Sequence, residues 1–312
     1  MSAVVEKALD LWGMGDADWR LVAARENHVY KVVSPSRGAF ALRLHRPDFR
    51  SDAELWSELE WMGAIAEGGL NVPAPVPATD EACLQKIDGL QVDVLTWLNG
   101  APLGATGRPL NVPNRLETFR KIGSEMARLH EISDAWAPPE GFQRWSWDRA
   151  GLLGDDPLWG RFWENPTLSD ADRALFTNVR SASARRLGAL EGTLDFGLIH
   201  ADLVRENLMI DGDEIHLIDF DDAGFGFRLF DMATFLLKNG DEPDYPDLKK
   251  AFIDGYKAKR AIDADALDLF LLLRALTYVG WIVERMNEDG AELRNARFIN
   301  TARRLARQEL VA

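Results

Sequence analysis

Apolar and polar positions alternate along this chain in two different rhythms, and the change of rhythm marks its organisation. Residues 4–12 place Val4, Val5, Ala8, Leu9 and Trp12 at helical spacing, with Gly13 as the stop. Three short runs of strand type follow, Trp19–Ala24, His28–Val33 and Phe40–Leu44, close enough in sequence to predict an antiparallel meander. Alternation in the third puts Phe40, Leu42 and Leu44 on one face and Arg43 on the other. Asp52–Ala66 then reads as an amphipathic helix with Ser51 as its cap. The prolines of Asn71–Pro77 keep that stretch extended, and strands are predicted at Cys83–Ile87 and Gln91–Leu98, joined by an Asp88-Gly89 turn. Beyond residue 100 the rhythm becomes mainly helical: 115–132 capped by Asn114, a helix from Ser169 to Leu190, then 248–260 and 266–287. Two brief apolar runs interrupt it, Phe196–Ile199 and Ile215–Phe220, both predicted as strands.

Composition narrows what such a chain can be. Hydrophobic residues make up 46% of the 312 positions, enough for a packed core and too many for disorder. A formal charge of −14 argues against a nucleic-acid groove and mildly for a cationic partner. The single cysteine, Cys83, excludes an intrachain disulfide framework. No apolar run of about 20 residues and no N-terminal signal pattern is present, so the expectation is a cytoplasmic protein without a membrane partner.

The chemistry concentrates between the two late strands. Asp202, Asn207 and Asp219 supply two carboxylates and an amide, hard oxygen donors that suit Mg²⁺ better than zinc or iron. Elsewhere, Tyr278, Trp281 and Glu284 fall three residues apart, and two rings with a carboxylate could hold an alkylammonium group, although ordinary helix packing explains them as well. Five tryptophans within 136–163 (136, 145, 147, 159 and 163) fit either a lid or a packed insertion. Asp231, by its position near a helix start, reads as an N-cap.

The order His200-x-Asp202-x4-Asn207, followed by Ile218-Asp219-Phe220, resembles the catalytic loop and metal-binding Asp of the kinase fold. It is most similar to the aminoglycoside phosphotransferase family, which includes homoserine, choline and hydroxylysine kinases. Ala201 stands where protein kinases have Arg, and Asp219-Phe220-Asp221 where they have D-F-G. The resemblance, spanning about residues 18–285, implies an α+β, two-lobed protein-kinase-like fold. An N-lobe at 1–94 would hold a five-stranded antiparallel sheet plus a helix, 95–100 would be the hinge, and 101–312 a larger, mainly helical C-lobe. It implies ATP and Mg²⁺ as cofactors and transfer of the γ-phosphate to a hydroxyl of a small molecule, cationic or zwitterionic. Asp202 would be the catalytic base, Asn207 and Asp219 the metal ligands, and Asp221 an aid to substrate or to a second ion. Arg43 would take the place of the usual strand lysine, paired with Glu58 (Glu54 and Glu60 being alternatives), and the backbone of Thr96, Trp97 and Leu98 would receive adenine. His200 and Asp231 would support the loop, Asp231 from below, and His130, closing an L-x-x-L-H sequence, would be structural. Ala24–His28 fills the place of the Gly-rich phosphate loop, and a Walker sequence is absent. The acceptor stays open: an amino alcohol, a hydroxy amino acid, an aminoglycoside or a protein Ser/Thr would use the same residues, and a silent nucleotide-binding module is the remaining alternative.

Overall fold

The computed structural model describes residues 1–24 and 27–310. In chain order its helices are α1 (Ser2–Leu11), α2 (Asp52–Glu67), α3 (Arg115–Ala135), α4 (Arg149–Leu153), α5 (Asp170–Leu190), α6 (Arg228–Leu237), α7 (Tyr245–Lys257), α8 (Leu267–Trp281) and α9 (Ala291–Glu309). The strands are β1 (Asp18–Ala24), β2 (His28–Ser34), β3 (Gly38–Leu44), β4 (Leu84–Ile87), β5 (Leu90–Thr96), β6 (Ala101–Pro102), β7 (Trp145–Trp147), β8 (Phe196–Ile199), β9 (Leu208–Asp211), β10 (Glu214–Leu217) and β11 (Gly224–Phe227). The chain folds as two compact units. One comprises Met1–Pro102, Glu131–Arg144 and Leu208–Asp221; the other comprises Leu103–His130, Trp145–Asn207 and Asp222–Ala312.

The first unit is built on a five-stranded antiparallel sheet in the order β1-β2-β3-β5-β4. Alternation along β3 puts Phe40, Leu42 and Leu44 into a core with Val92 and Val94 of β5. Helix α1 closes that core with Val5, Ala8, Leu9 and Trp12. The proline-rich stretch stays extended and docks along β5, where Val76 N–H donates to Val94 O and Thr96 N–H to Ala74 O. Helix α2 begins on a capping box: Ser51 Oγ accepts from Glu54 N–H, and the Glu54 carboxylate accepts from Ser51 N–H. A second sheet, β10-β9-β6, joins the later segment to Ala101–Pro102 at the end of the unit's first stretch. Strand β10 ends at Leu217, so Ile218, Asp219 and Phe220 lie beyond it, and the strand expected to reach Phe220 is three residues shorter. Likewise β5 stops at Thr96 rather than Leu98. Asp219 takes a left-handed backbone, φ 69°, that a continuing strand does not permit.

The second unit is mainly helical, with a small sheet β7-β11-β8. Its core is lined by α8, whose residues from Leu269 to Gly280 are all buried. Helix α5 starts on Ser169, whose hydroxyl accepts from Asp172 N–H. Asn114 is different: its backbone is left-handed, φ 49°, where a side-chain cap needs an extended one. Helix α8 ends at Trp281, and Glu284 lies exposed in a separate 3₁₀ turn, Val283–Arg285. The expected continuous helix 266–287, with Tyr278, Trp281 and Glu284 on one side, is therefore not formed. Of the tryptophans between 136 and 163, Trp147 is fully buried, stacked on Phe230 at 5.2 Å, and Trp159 packs on Tyr278 and Trp281.

Candidate active site

In the second unit, β8 delivers the chain into a loop whose backbone is fixed from several sides. Ala201 is fully buried with φ 64°, a conformation that costs a non-glycine residue about 1 kcal/mol or more. The strain is held by Asp231, whose carboxylate accepts from Ala201 N–H at 2.6 Å and His200 N–H at 2.9 Å. Asp231 sits in the first turn of α6 rather than at its cap, which Phe227 occupies, so the N-cap reading gives way to one of bracing. Its carboxylate in turn meets His130 Nε2 at 3.0 Å, and His130 Nδ1 lies 2.7 Å from the Tyr256 hydroxyl. All three groups are buried. Burial, reinforced by the nearby Arg228, pushes the His130 pKa down to about 4, so the ring is neutral: Tyr256 donates to it and it donates to Asp231. Burial raises the Asp231 carboxyl, but its bonds from His130 and His200 outweigh this and hold it ionised.

Asp202 follows on this braced loop. Arg274 Nη2 donates to its Oδ1 at 2.7 Å, and Asn207 Nδ2 donates to its Oδ2 at 3.1 Å and to its backbone carbonyl at 2.9 Å. Burial pushes the Asp202 pKa up to about 7 against the opposing charge of Arg274. Arg274 is itself wholly buried, with its guanidinium 4.3 Å from the Trp159 ring centroid and 4.4 Å from that of Tyr278. It also donates to the Tyr278 hydroxyl at 3.0 Å. The next turn, Arg205–Asn207, is pinned through Arg205, which donates to Asn239 Oδ1, Glu242 Oε1 and Arg108 O at 2.7–2.8 Å. With its amide N–H groups committed to Asp202, Asn207 presents its carbonyl oxygen as the group available to a hard cation. Among the described residues no three of His, Cys, Asp or Glu cluster to hold a metal.

The first unit carries the other predicted residues. Arg43 is buried and forms a two-point pair with Asp93, Nε to Oδ1 and Nη2 to Oδ2, both 2.8 Å, while Nη1 donates to Glu58 at 2.8 Å. Of the three glutamates considered, Glu58 is the partner. Its second oxygen accepts from Arg144 at 3.1 Å, and His45 Nε2 lies 2.7 Å from Asp93. Burial alone would raise both carboxyls; Arg43 dominates the charges that instead hold them below the usual range. Arg144 also donates to the backbone carbonyls of Phe220 and Asp221, and Arg50 to that of Asp221, tying down the segment that follows the exposed Asp219. The Asp221 carboxylate accepts from Asn27. Arg25 and Glu26, in the expected phosphate-loop position, lie outside the described residues. At the expected adenine edge, Thr96 N–H and Trp97 N–H are already committed, to Ala74 O and Ala39 O. The proposed aromatic cage is also filled: Lys238 Nζ lies 3.8 Å from the Tyr278 centroid, and Arg285 lies 4.3 Å from that of Trp281.

Several residues of these clusters escaped sequence reasoning, among them Arg274, Asp93, Arg144 and Lys238. Arg274 is the one charge inside Leu269–Val279, and Asp93 interrupts the apolar run Val92–Val94, so both carried a legible signal. Arg144 and Lys238 carried none.

Residues 18–270 match the phosphotransferase enzyme family. The chain belongs to that family. A homoserine kinase of Acidiphilium cryptum is 31% identical over 277 residues, covering 84% of this chain and 79% of its own length. An amicoumacin kinase of Bacillus subtilis is 24% identical over 298 residues, covering 89% and 83%. Among solved structures, a microcompartment-associated aminopropanol kinase superposes with a TM-score of 0.84 at 29% identity, covering 100% of this chain and 98% of its own. The fold is the kinase-like α+β fold, and this phosphotransferase is an enzyme of the kinase type, a class that uses ATP and in these relatives acts on small molecules.

Proposed function

We propose that this phosphotransferase moves the γ-phosphate of ATP to the hydroxyl of a small amino alcohol or hydroxy amino acid, in the cytoplasm, with Asp202 as the base. The observation that supports it is the clamp on Asp202. One oxygen is fixed by Arg274 and the other by Asn207, on a loop whose strained backbone is tied to Asp231. A carboxylate held in this way keeps lone pairs free to orient an incoming hydroxyl and accept its proton. The acceptor oxygen forms the new bond to phosphorus, the bridging P–O bond to ADP breaks, and the hydroxyl proton passes to Asp202.

Asn207 and Asp219 are the proposed ligands of Mg²⁺, an assignment made on donor chemistry and motif order. The ion, when bound, neutralises charge on the transferring phosphoryl group. Arg43 is the proposed cation toward the nucleotide's phosphates, oriented by Asp93 and Glu58, and with the Thr96 and Trp97 N–H groups already bonded, Leu98 carries the proposed adenine edge of Thr96–Leu98. The single cysteine, unpaired Cys83, and the lack of any described helix long and apolar enough to cross a membrane are compatible with a reducing interior.

The test is ATP consumption against a panel of amino alcohols, hydroxy amino acids and aminoglycosides, with Asp202→Asn beside the wild type. Transfer that falls by roughly 10²–10⁴ in the variant, with ATP still bound in a thermal-shift assay, supports the reading. Equal turnover in both proteins overturns it.

A further inference from the structure

Four buried arginines, Arg43, Arg144, Arg205 and Arg274, each meet a carboxylate within 3.1 Å. The half-buried Lys238 and Arg297 differ: among the described residues neither has a carboxylate or hydrogen-bond acceptor as partner, and each lies over an aromatic ring instead. Lys238 Nζ is 3.8 Å from the Tyr278 centroid and 5.6 Å from that of Phe298, and the Arg297 guanidinium is 5.7 Å from the same Phe298 ring. The two rings stack on each other at 5.0 Å.

This pair of cations sits beside the base. Tyr278, which lies under Lys238, accepts from Arg274, and Arg274 donates to Asp202. The positive charge of Arg274 is therefore spent on Asp202. Glu206, the other acidic group bearing on Lys238, is spent on Thr106, whose N–H and hydroxyl both donate to it at 2.5 and 3.0 Å. Arg297 is pressed against the backbone of Gly107 in the same loop, where a Cβ would strike its Nη1. Burial pushes the Lys238 pKa down to about 7, with Asp202 and Glu206 opposing and the neighbouring Arg274 and Arg297 adding to the fall. Lys238 also ends α6, and a helix C-terminus favours a cation. That effect is weak, and it leaves two like charges facing one ring pair without an anion between them.

We infer that Lys238 and Arg297 form the subsite that receives the carboxylate of the acceptor, which makes the compound phosphorylated at Asp202 a hydroxy amino acid rather than the matching amino alcohol. The inference rests on the phosphotransfer reading above and narrows it. A carboxylate lost from the acceptor leaves both cations unpaired in the complex, and sites built around such groups reject the truncated analogue strongly.

The experiment compares matched acceptors that differ only in that group: L-homoserine with 3-aminopropan-1-ol, and L-threonine with 1-aminopropan-2-ol. Wild-type enzyme favours a carboxylate-bearing member by about 10²-fold in kcat/KM. Lys238→Met and Arg297→Met each raise KM for that acceptor by about tenfold or more with KM for ATP unchanged, and Lys238→Arg restores part of the loss. A wild type that prefers the amino alcohols overturns the inference and leaves the phosphotransfer reading standing. Variants that lower kcat equally on both members of a pair also overturn it, since that marks contact with the phosphoryl group. Transfer to neither class, in enzyme that binds ATP, removes both readings.

Discussion

At Arg43 the side chain does more than supply a charge. Its planar fork meets both oxygens of Asp93 and still reaches Glu58, a geometry an ammonium cannot copy. Arg43→Lys, although it installs the residue usual on the corresponding kinase strand, should leave one Asp93 oxygen without its donor. The expected cost is roughly 1–3 kcal/mol of unfolding free energy, measured by denaturant titration. Asp93→Ala should cost more, about 3–5 kcal/mol, because it leaves Arg43 and His45 facing no carboxylate but Glu58. An unchanged midpoint in both variants would contradict the assignment of these contacts. Ala201 makes a related point from the other unit: an ordinary residue in a left-handed conformation marks the step of the chain that aims Asp202.

Whole elements show where side-chain size is set by neighbouring backbone. Helices α3 and α7 approach so closely that a Cβ on Gly123 would strike the Phe252 carbonyl, and one on Gly255 the Arg120 carbonyl. Because α3 carries His130 and α7 carries Tyr256, their contact also sets the distance between two members of the buried hydrogen-bond chain. Gly255→Ala should force the helices apart, lowering stability by about 1–3 kcal/mol and turnover with it, read by thermal melting and initial rates. Elements of this kind were largely legible beforehand. The strands of the first sheet and the helices α1, α2 and α5 follow from alternation and capping residues that act locally. What periodicity could not supply was where an element yields to its site. Strand β10 stops at Leu217 because Asp219 must turn into a left-handed backbone, and α8 stops at Trp281 before Glu284 can share its face. Local propensity cannot see such constraints. Nor can it see Arg144, which reaches Glu58 and the carbonyls after Asp219 from 76–86 residues away.

On the scale of the molecule, the buried histidine couples stability to pH. His130 is neutral in the fold, with its pKa pushed down to about 4, whereas an unfolded histidine titrates near 6.5. The unfolded chain therefore binds the extra proton first as pH falls. The contribution is complete above about pH 6.5 and is lost progressively toward pH 4, amounting to about 3 kcal/mol across the window. Asp202, pushed up to about 7, titrates in the opposite sense over the same range, so the His130 contribution is read as the difference between wild type and His130→Gln, and the wild type should lose melting temperature relative to the variant from pH 6.5 to 4. A difference that stays level from pH 7 to 4 would contradict a neutral, buried His130.

One last consequence belongs to Asn207, whose amide holds Asp202 by two bonds. With Asn207 as the proposed metal ligand and Asp202 as the proposed base, affinity for the ion and alignment of the base fall to a single side chain and cannot be tuned apart. Asn207→Asp should bind a divalent ion more tightly by calorimetry yet turn over more slowly, since the added charge repels the neighbour it formerly steadied.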